Sequence, residues 1–141
     1  MRLADTRQLC TVIATPALCT LLIACSSEGS TTGPETVEVA GSEWTCLAVP
    51  QDVQTRILEG DKNADGANAT VEKAVMVEGI DNDFVAMKIR WEGVAKPFDA
   101  GFAISKARTN IVSTTRGTSM LFNWPLAAED LDGTKASAEC L

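Results

Sequence analysis

The spacing of apolar residues predicts one helix followed by several strands. Pro50 opens and Gly60 closes a segment in which Val53 and Ile57 lie four residues apart, a spacing typical of an amphipathic helix. Four segments then show alternation or β-branched residues, at residues 71–77, 85–91, 98–104 and 111–115. Short turn-like connections favour antiparallel pairing. The pattern therefore predicts an α+β domain, with an antiparallel β-meander of about four strands packed against an N-terminal helix.

The predicted helices and strands differ in how clearly the sequence indicates them. In the first strand, we expect Val71, Val75 and Val77 to lie on one face. The clearest alternation runs over residues 85–91. Residues 119–124 predict one helical turn stopped by Pro125, and the tail towards residue 140 is ambiguous between helix and loop.

The first residues of the chain form an apolar leader. Residues 9–24 are apolar or small, whereas a membrane-spanning helix needs about 20 apolar residues. The length is typical of the apolar region within a secretory signal peptide. The alternative is a buried helix of the fold, which Pro16 in the middle of the segment disfavours.

The end of the leader carries a recognisable motif, Leu22-Ile23-Ala24-Cys25. It resembles the lipobox of bacterial lipoproteins. The resemblance implies cleavage between Ala24 and Cys25, attachment of diacylglycerol to Cys25, and a lipid-anchored position on the extracytoplasmic face of the cell membrane. Two acyl chains on one cysteine anchor a protein firmly. The protein's expected partner is therefore the membrane, through this lipid anchor.

After Cys25 the chain is rich in Ser, Thr, Gly and Pro. Such a composition buries too little apolar surface to offset the entropy of ordering it. We therefore expect three regions: a lipoprotein signal peptide over residues 1–24, a lipidated flexible tether over residues 25–41, and a single α+β domain over residues 42–141.

Two cysteines, Cys46 and Cys140, remain in the expected domain. Secretion would expose them to an oxidising compartment, where two such thiols usually pair. The alternative is a pair of independent buried thiols. By the chain-entropy model, closing so long a loop contributes about 4–5 kcal/mol to stability.

One segment matches the calcium-loop pattern D-x-[DN]-x-[DN]-G-x5-E in full, from Asp61 to Glu72. It resembles the loops of EF-hand and dockerin proteins. The resemblance implies calcium ligands at Asp61, Asn63, Asp65 and Glu72, with the carbonyl of Ala67 as a fifth. Against it, Asn68 stands where an aliphatic residue usually docks the loop. The alternative is a solvated helix-to-strand connection built from common turn residues.

Composition and charge narrow the range of functions. The chain has 12 basic and 19 acidic residues and a net charge of −7, so we expect no nucleic-acid partner. It contains no His, which excludes Ser-His-Asp and Cys-His catalysis and His-ligated zinc. No motif for phosphate binding or acyl transfer is present. We therefore expect a non-catalytic domain without a resident cofactor, calcium excepted, that binds an envelope protein or a small ligand.

The three tryptophans, Trp44, Trp91 and Trp124, are candidates for an aromatic binding cleft. Because Trp91 continues the apolar face of a predicted strand, a core position is the stronger interpretation for it.

The order of motifs along the expected domain also resembles that of other proteins. Cys46 comes first and is followed by the predicted short helix. Two predicted strands come next, with the sequences Asp83-Phe84-Val85-Ala86-Met87-Lys88-Ile89 and Phe102-Ala103-Ile104-Ser105. The last two motifs are Phe122-Asn123-Trp124-Pro125 and Cys140. This order is similar to that of a group of small, uncharacterised actinobacterial secreted proteins and lipoproteins. The resemblance implies a single disulfide-closed α+β domain and brings no activity or site residue with it.

Overall fold

The computed structural model describes residues 33–63, 68–127 and 131–141. The elements in chain order are β1 (Thr36–Val39), β2 (Ser42–Thr45), β3 (Leu47–Ala48), α1 (Gln51–Leu58), β4 (Ala69–Glu78), β5 (Asn82–Trp91), β6 (Phe98–Ser105), β7 (Ile111–Ser113), α2 (Arg116–Leu121) and α3 (Asp132–Cys140). Among the described helices, none has the length and apolarity needed to cross a bilayer. The predicted signal peptide and Cys25 lie outside the described residues.

The named strands of the described residues all pair in antiparallel fashion. β1 and β2 form a hairpin, and the remaining strands form a five-stranded sheet in the order β3-β4-β5-β6-β7. The α+β class with antiparallel sheets is therefore confirmed. The predicted count of four strands is wrong, because the described residues contain seven. The three additional strands have two to four residues each, too few to show a clear alternation.

The N-terminal helix of the prediction is also wrong. A helix does occupy Gln51–Leu58, but β1, β2 and β3 precede it. With eight residues it buries only Val53 and Ile57. The C-terminal helix α3 also lies against the sheet, on the face opposite α1, and contacts β4, β5 and β6 as well as β1. Its weak apolar pattern concealed this role in the sequence.

The sheet has a core on each face. The larger core lies on the α1 and α2 side and contains Val49, Val53, Ile57, Met76, Val85, Met87, Ile89, Trp91, Ala100, Phe102, Ile104, Ile111 and Phe122. The smaller core lies under α3 and the β1–β2 hairpin and contains Val39, Val75, Val77, Ala86, Ala136 and Cys140. β1 thus belongs to the packed fold, although it lies within the segment 25–41 expected to be a tether.

A β-bulge in β4 changes which face its first residues occupy. Val71 pairs with Ile89 and Lys73 pairs with Lys88, so Glu72 is the extra residue. Because a bulge shifts the alternation by one residue, Val71 packs with the larger core whereas Val75 and Val77 belong to the smaller one. The prediction that these three valines share one face is therefore wrong.

The predicted disulfide is confirmed. Cys46 and Cys140 are bonded with an S–S distance of 2.05 Å and a Cα–Cα distance of 5.7 Å. The bond joins the last residue of α3 to the segment between β2 and β3. It therefore fastens α3 over the face of the sheet that holds the smaller core.

Candidate functional site

A concave, largely apolar groove lies where β5 ends and the chain turns into β6. We call it the Trp91 groove, and it is lined by Asn63, Trp91, Val94, Lys96, Pro97, Phe98 and Leu121. Its volume is about 430 Å³. Small-molecule sites in proteins have volumes of about 300–1,000 Å³ and mostly apolar walls with a few polar groups. The groove therefore has the size and composition of a ligand site.

Trp91 forms the rigid floor of the groove. It is only 6% exposed, and its ring lies 6.3 Å from that of Phe98 and 6.2 Å from that of Phe122. Its indole Nε1 donates a hydrogen bond to Oδ2 of Asp61 at 2.6 Å. Because the ring contacts two aromatic neighbours and its N–H has an acceptor, the orientation of Trp91 is fixed.

The acceptor of that hydrogen bond, Asp61, lies in the loop after α1, three positions beyond its last residue. It is 6% exposed, and its Oδ1 accepts a hydrogen bond from the backbone N–H of Asn63 at 2.9 Å. The next residue, Lys62, donates its backbone N–H to the carbonyl of Leu121 and its Nζ to the carbonyl of Ser119. These bonds attach the start of the loop after α1 to the end of α2, which brings Asn63 and Leu121 to the groove.

The rim of the groove is formed by the turn between β5 and β6. Gly93 adopts a φ of +80°, a conformation that favours glycine, and the N–H of Val94 donates to the carbonyl of Trp91 at 3.0 Å. Val94 is consequently 48% exposed despite its apolar side chain. Lys96 is exposed and forms no ion pair with a carboxylate of the described residues.

A second, more polar depression of about 400 Å³ adjoins the first and shares Trp91 and Val94 with it. Arg90 lies in its wall, forms an ion pair with Glu72, and donates from Nη1 to the carbonyl of Ala95 at 2.7 Å. The guanidinium of Arg90 therefore braces the β5–β6 turn and is already partnered.

The predicted calcium ligands fall into two groups. Asp61, Asn63 and Glu72 lie in the described part of the chain, whereas Asp65 and Ala67 lie outside it. Asp61 is hydrogen-bonded to Trp91, and Glu72 is paired with Arg90 at the bulge of β4. No group of three or more acidic, Cys or His residues placed to hold a metal occurs among the described residues. The calcium site stays a prediction.

The three tryptophans do not line one cleft. Trp44 packs with the smaller core and meets Phe84 edge-on at 6.4 Å, whereas Trp91 belongs to the larger core on the other face of the sheet. Trp124 packs against the larger core and donates its Nε1 to the carbonyl of Ile57 at 2.9 Å. The core interpretation of Trp91 is confirmed, and that residue is also the floor of the groove.

Sequence reasoning missed most of the groove. Residues 93–97 were interpreted only as a turn, and Leu121 only as part of a helical turn. One signal was available: Val94 is an aliphatic residue in a turn between two aromatic residues, Trp91 and Phe98. An apolar residue in a solvent-facing turn is a marker of binding surfaces when it joins a larger patch.

Comparison of this chain with models of protein families, with curated proteins and with solved structures finds no match.

Proposed function

We propose that this chain is a lipid-anchored domain on the extracytoplasmic face of the cell membrane that binds a ligand or an envelope protein without catalysing a reaction. The anchor rests on the lipobox-like motif that ends at Cys25. The observation that carries the proposal is the Cys46–Cys140 disulfide, because such bonds persist in oxidising compartments and are rare in the cytosol.

Binding without catalysis is supported by the make-up of the Trp91 groove. Its described lining offers apolar walls and two polar side chains, Asn63 and Lys96. Catalysis by a hydroxyl or thiol nucleophile needs that group beside a base, and the described lining contains no hydroxyl, thiol or carboxylate group. The amine of Lys96 is exposed, whereas a nucleophilic lysine is usually activated by burial or by a second cation. The chemistry of the lining is therefore that of a recognition surface.

The anchor is tested by lipid labelling in a bacterial host that processes lipoproteins. Cells expressing the full chain are grown with an alkyne analogue of palmitate, and the label is detected on the purified protein. The variant Cys25→Ser should lose the label. Cys19→Ser, which alters a cysteine inside the apolar leader, is the matched control and should keep it.

Location is tested in the same cells with a membrane-impermeant amine-reactive reagent. We expect the reagent to modify the native protein on spheroplasts prepared to expose the outer face of the cytoplasmic membrane. A protein that stays unlabelled by palmitate and is protected from the reagent until the cells are lysed would contradict the proposal.

The alternative proposal is a calcium-binding module that uses the loop at residues 61–72, and it is supported by the sequence pattern. Calorimetry on the full chain at millimolar calcium would then give heat. Glu72→Gln should lower that heat, and Glu92→Gln, which changes a nearby carboxylate outside the pattern, should leave it unchanged. The absence of heat in the unmodified chain would contradict this alternative.

A further inference from the structure

We propose that the Trp91 groove binds a small amphiphilic carboxylate, with its apolar ring or short chain in the groove and its carboxylate directed to Lys96. This inference rests on the proposed binding function and names the chemical class of the ligand.

The apolar part of the ligand is indicated by the walls. Trp91, Pro97, Phe98 and Leu121 supply two aromatic rings, a pyrrolidine ring and a branched aliphatic side chain around one concave space. A ligand with a planar or short-chain hydrocarbon body would bury its surface against them. Val94 at the rim is 48% exposed, so it gains burial when the groove is filled.

The anionic part is indicated by the charge at the rim. Lys96 is the ionisable side chain among the described lining residues. The carboxylate behind the floor, Asp61, is buried and accepts hydrogen bonds with both oxygens, from Trp91 and from Asn63. Because Lys96 has no carboxylate partner in the described part of the chain, a ligand carboxylate would complement it. A cationic ligand would be repelled by it.

A small molecule fits the groove better than a flat partner surface does. The floor is already in its binding geometry, because Trp91 is held by Asp61 on its polar edge and by Phe98 and Phe122 on its ring. A rigid floor lowers the entropy cost of ordering side chains on binding. The groove volume of about 430 Å³ also suits a compact ligand.

Three probes of similar shape that differ in the charge of their polar end test the chemical class of the ligand. They are 4-phenylbutyrate, 4-phenylbutan-1-ol and 4-phenylbutylamine. Each is titrated by calorimetry into the full chain as purified from cells, held in lipid nanodiscs if it is membrane-bound, with empty nanodiscs as the baseline. We expect 4-phenylbutyrate to bind about two- to fivefold more tightly than the alcohol, the contribution of one partly exposed ion pair, and the amine to bind most weakly.

Two variants and one control variant test whether the probes bind in the Trp91 groove. Lys96→Gln should make the carboxylate and the alcohol bind equally. Val94→Glu should weaken 4-phenylbutyrate about tenfold, because it adds a charge to an apolar rim. Its matched control is Ile80→Glu, which changes a 95% exposed aliphatic residue in the turn at the other end of β5 and should bind as the unmodified chain does.

The inference is overturned if no probe binds, if the three probes bind equally, or if Val94→Glu and Ile80→Glu behave alike. Its failure is distinct from failure of the proposed function. Palmitate labelling at Cys25 tests the anchor without any ligand, and calorimetry on purified protein does not depend on where the protein resides.

Discussion

Trp91 donates its indole N–H to the carboxylate of Asp61, a residue 30 positions earlier in the chain, at 2.6 Å. Both residues are 6% exposed. The hydrogen bond joins the loop after α1 to the last residue of β5. It therefore sets the floor of the Trp91 groove from a segment that is remote in sequence.

Removing that acceptor should destabilise the protein. Asp61→Ala leaves the buried Nε1 of Trp91 without a partner, which costs about 1–3 kcal/mol of unfolding free energy. Asp61→Asn retains a carbonyl acceptor and should lose less. Urea unfolding followed by circular dichroism measures both. As a control, Asp99→Ala removes a carboxylate that is 64% exposed and should change stability by less than about 0.5 kcal/mol. Equal effects of Asp61→Ala and Asp99→Ala would contradict this interpretation.

Close packing of α3 on β5 gives a second prediction. A Cβ atom added to Gly133 would lie 2.1 Å from Cδ2 of Phe84. Gly133→Ala should therefore force α3 away from the sheet and lower the unfolding free energy by about 1–3 kcal/mol. Gly33→Ala, where an added Cβ meets nothing within 4 Å, is the control. Combining Gly133→Ala with Phe84→Leu should restore part of the loss, and an absence of any recovery would argue against this contact as the cause.

The disulfide should contribute strongly to stability. Cys46 and Cys140 are separated by 94 positions, and a loop of this size corresponds to about 4–5 kcal/mol in the chain-entropy model. Substituting both cysteines by Ser should lower the thermal midpoint markedly. Treatment with reductant should lower the midpoint of the unmodified chain and leave that of the double variant where it is. A double variant as stable as the unmodified chain would show that the crosslink is energetically minor.

Alkaline pH should weaken one ion pair. The hydrogen bond that Lys106 donates to Asp83 raises the pKa of Lys106 above its ordinary value of 10.5. Because the pKa is higher in the folded state, the pair stabilises the fold below pH 10.5 and is lost as the pH rises through the folded-state pKa.

The comparison variant for this pair is Lys106→Gln. The difference in urea midpoint between it and the unmodified chain should be constant near about pH 8 and shrink as the pH rises above 10.5. Lys96→Gln, which removes a lysine with no described carboxylate partner, should give a difference that changes little over this range. The chain contains no Tyr and no His, so neither contributes to the pH dependence.

The parts of the fold that were predicted from the sequence are those in which local pattern and burial agree. β5 and β6 alternate cleanly because one face of each packs in the larger core, and their positions were predicted closely. The disulfide followed from the expected compartment and the two remaining cysteines. The two strands depend on local sequence, and the disulfide depends on there being two cysteines in the expected domain.

The parts that were missed depend on contacts between distant segments. β1 and β3 are stabilised by their neighbours β2 and β4 and carry little pattern of their own. The bulge at Glu72 reverses the face of Val71, and alternation alone does not reveal such an insertion. The Trp91 groove joins the β5–β6 turn to Leu121 of α2 and Asn63 after α1, a juxtaposition that only the folded chain creates.

The central claim is tested most directly by mass spectrometry of the N-terminal peptide of the protein isolated from membranes. Our account predicts that the chain begins at Cys25 and that this residue carries the mass of a thioether-linked diacylglycerol. A peptide that begins at Met1, or one in which Cys25 keeps an unmodified thiol, would contradict it.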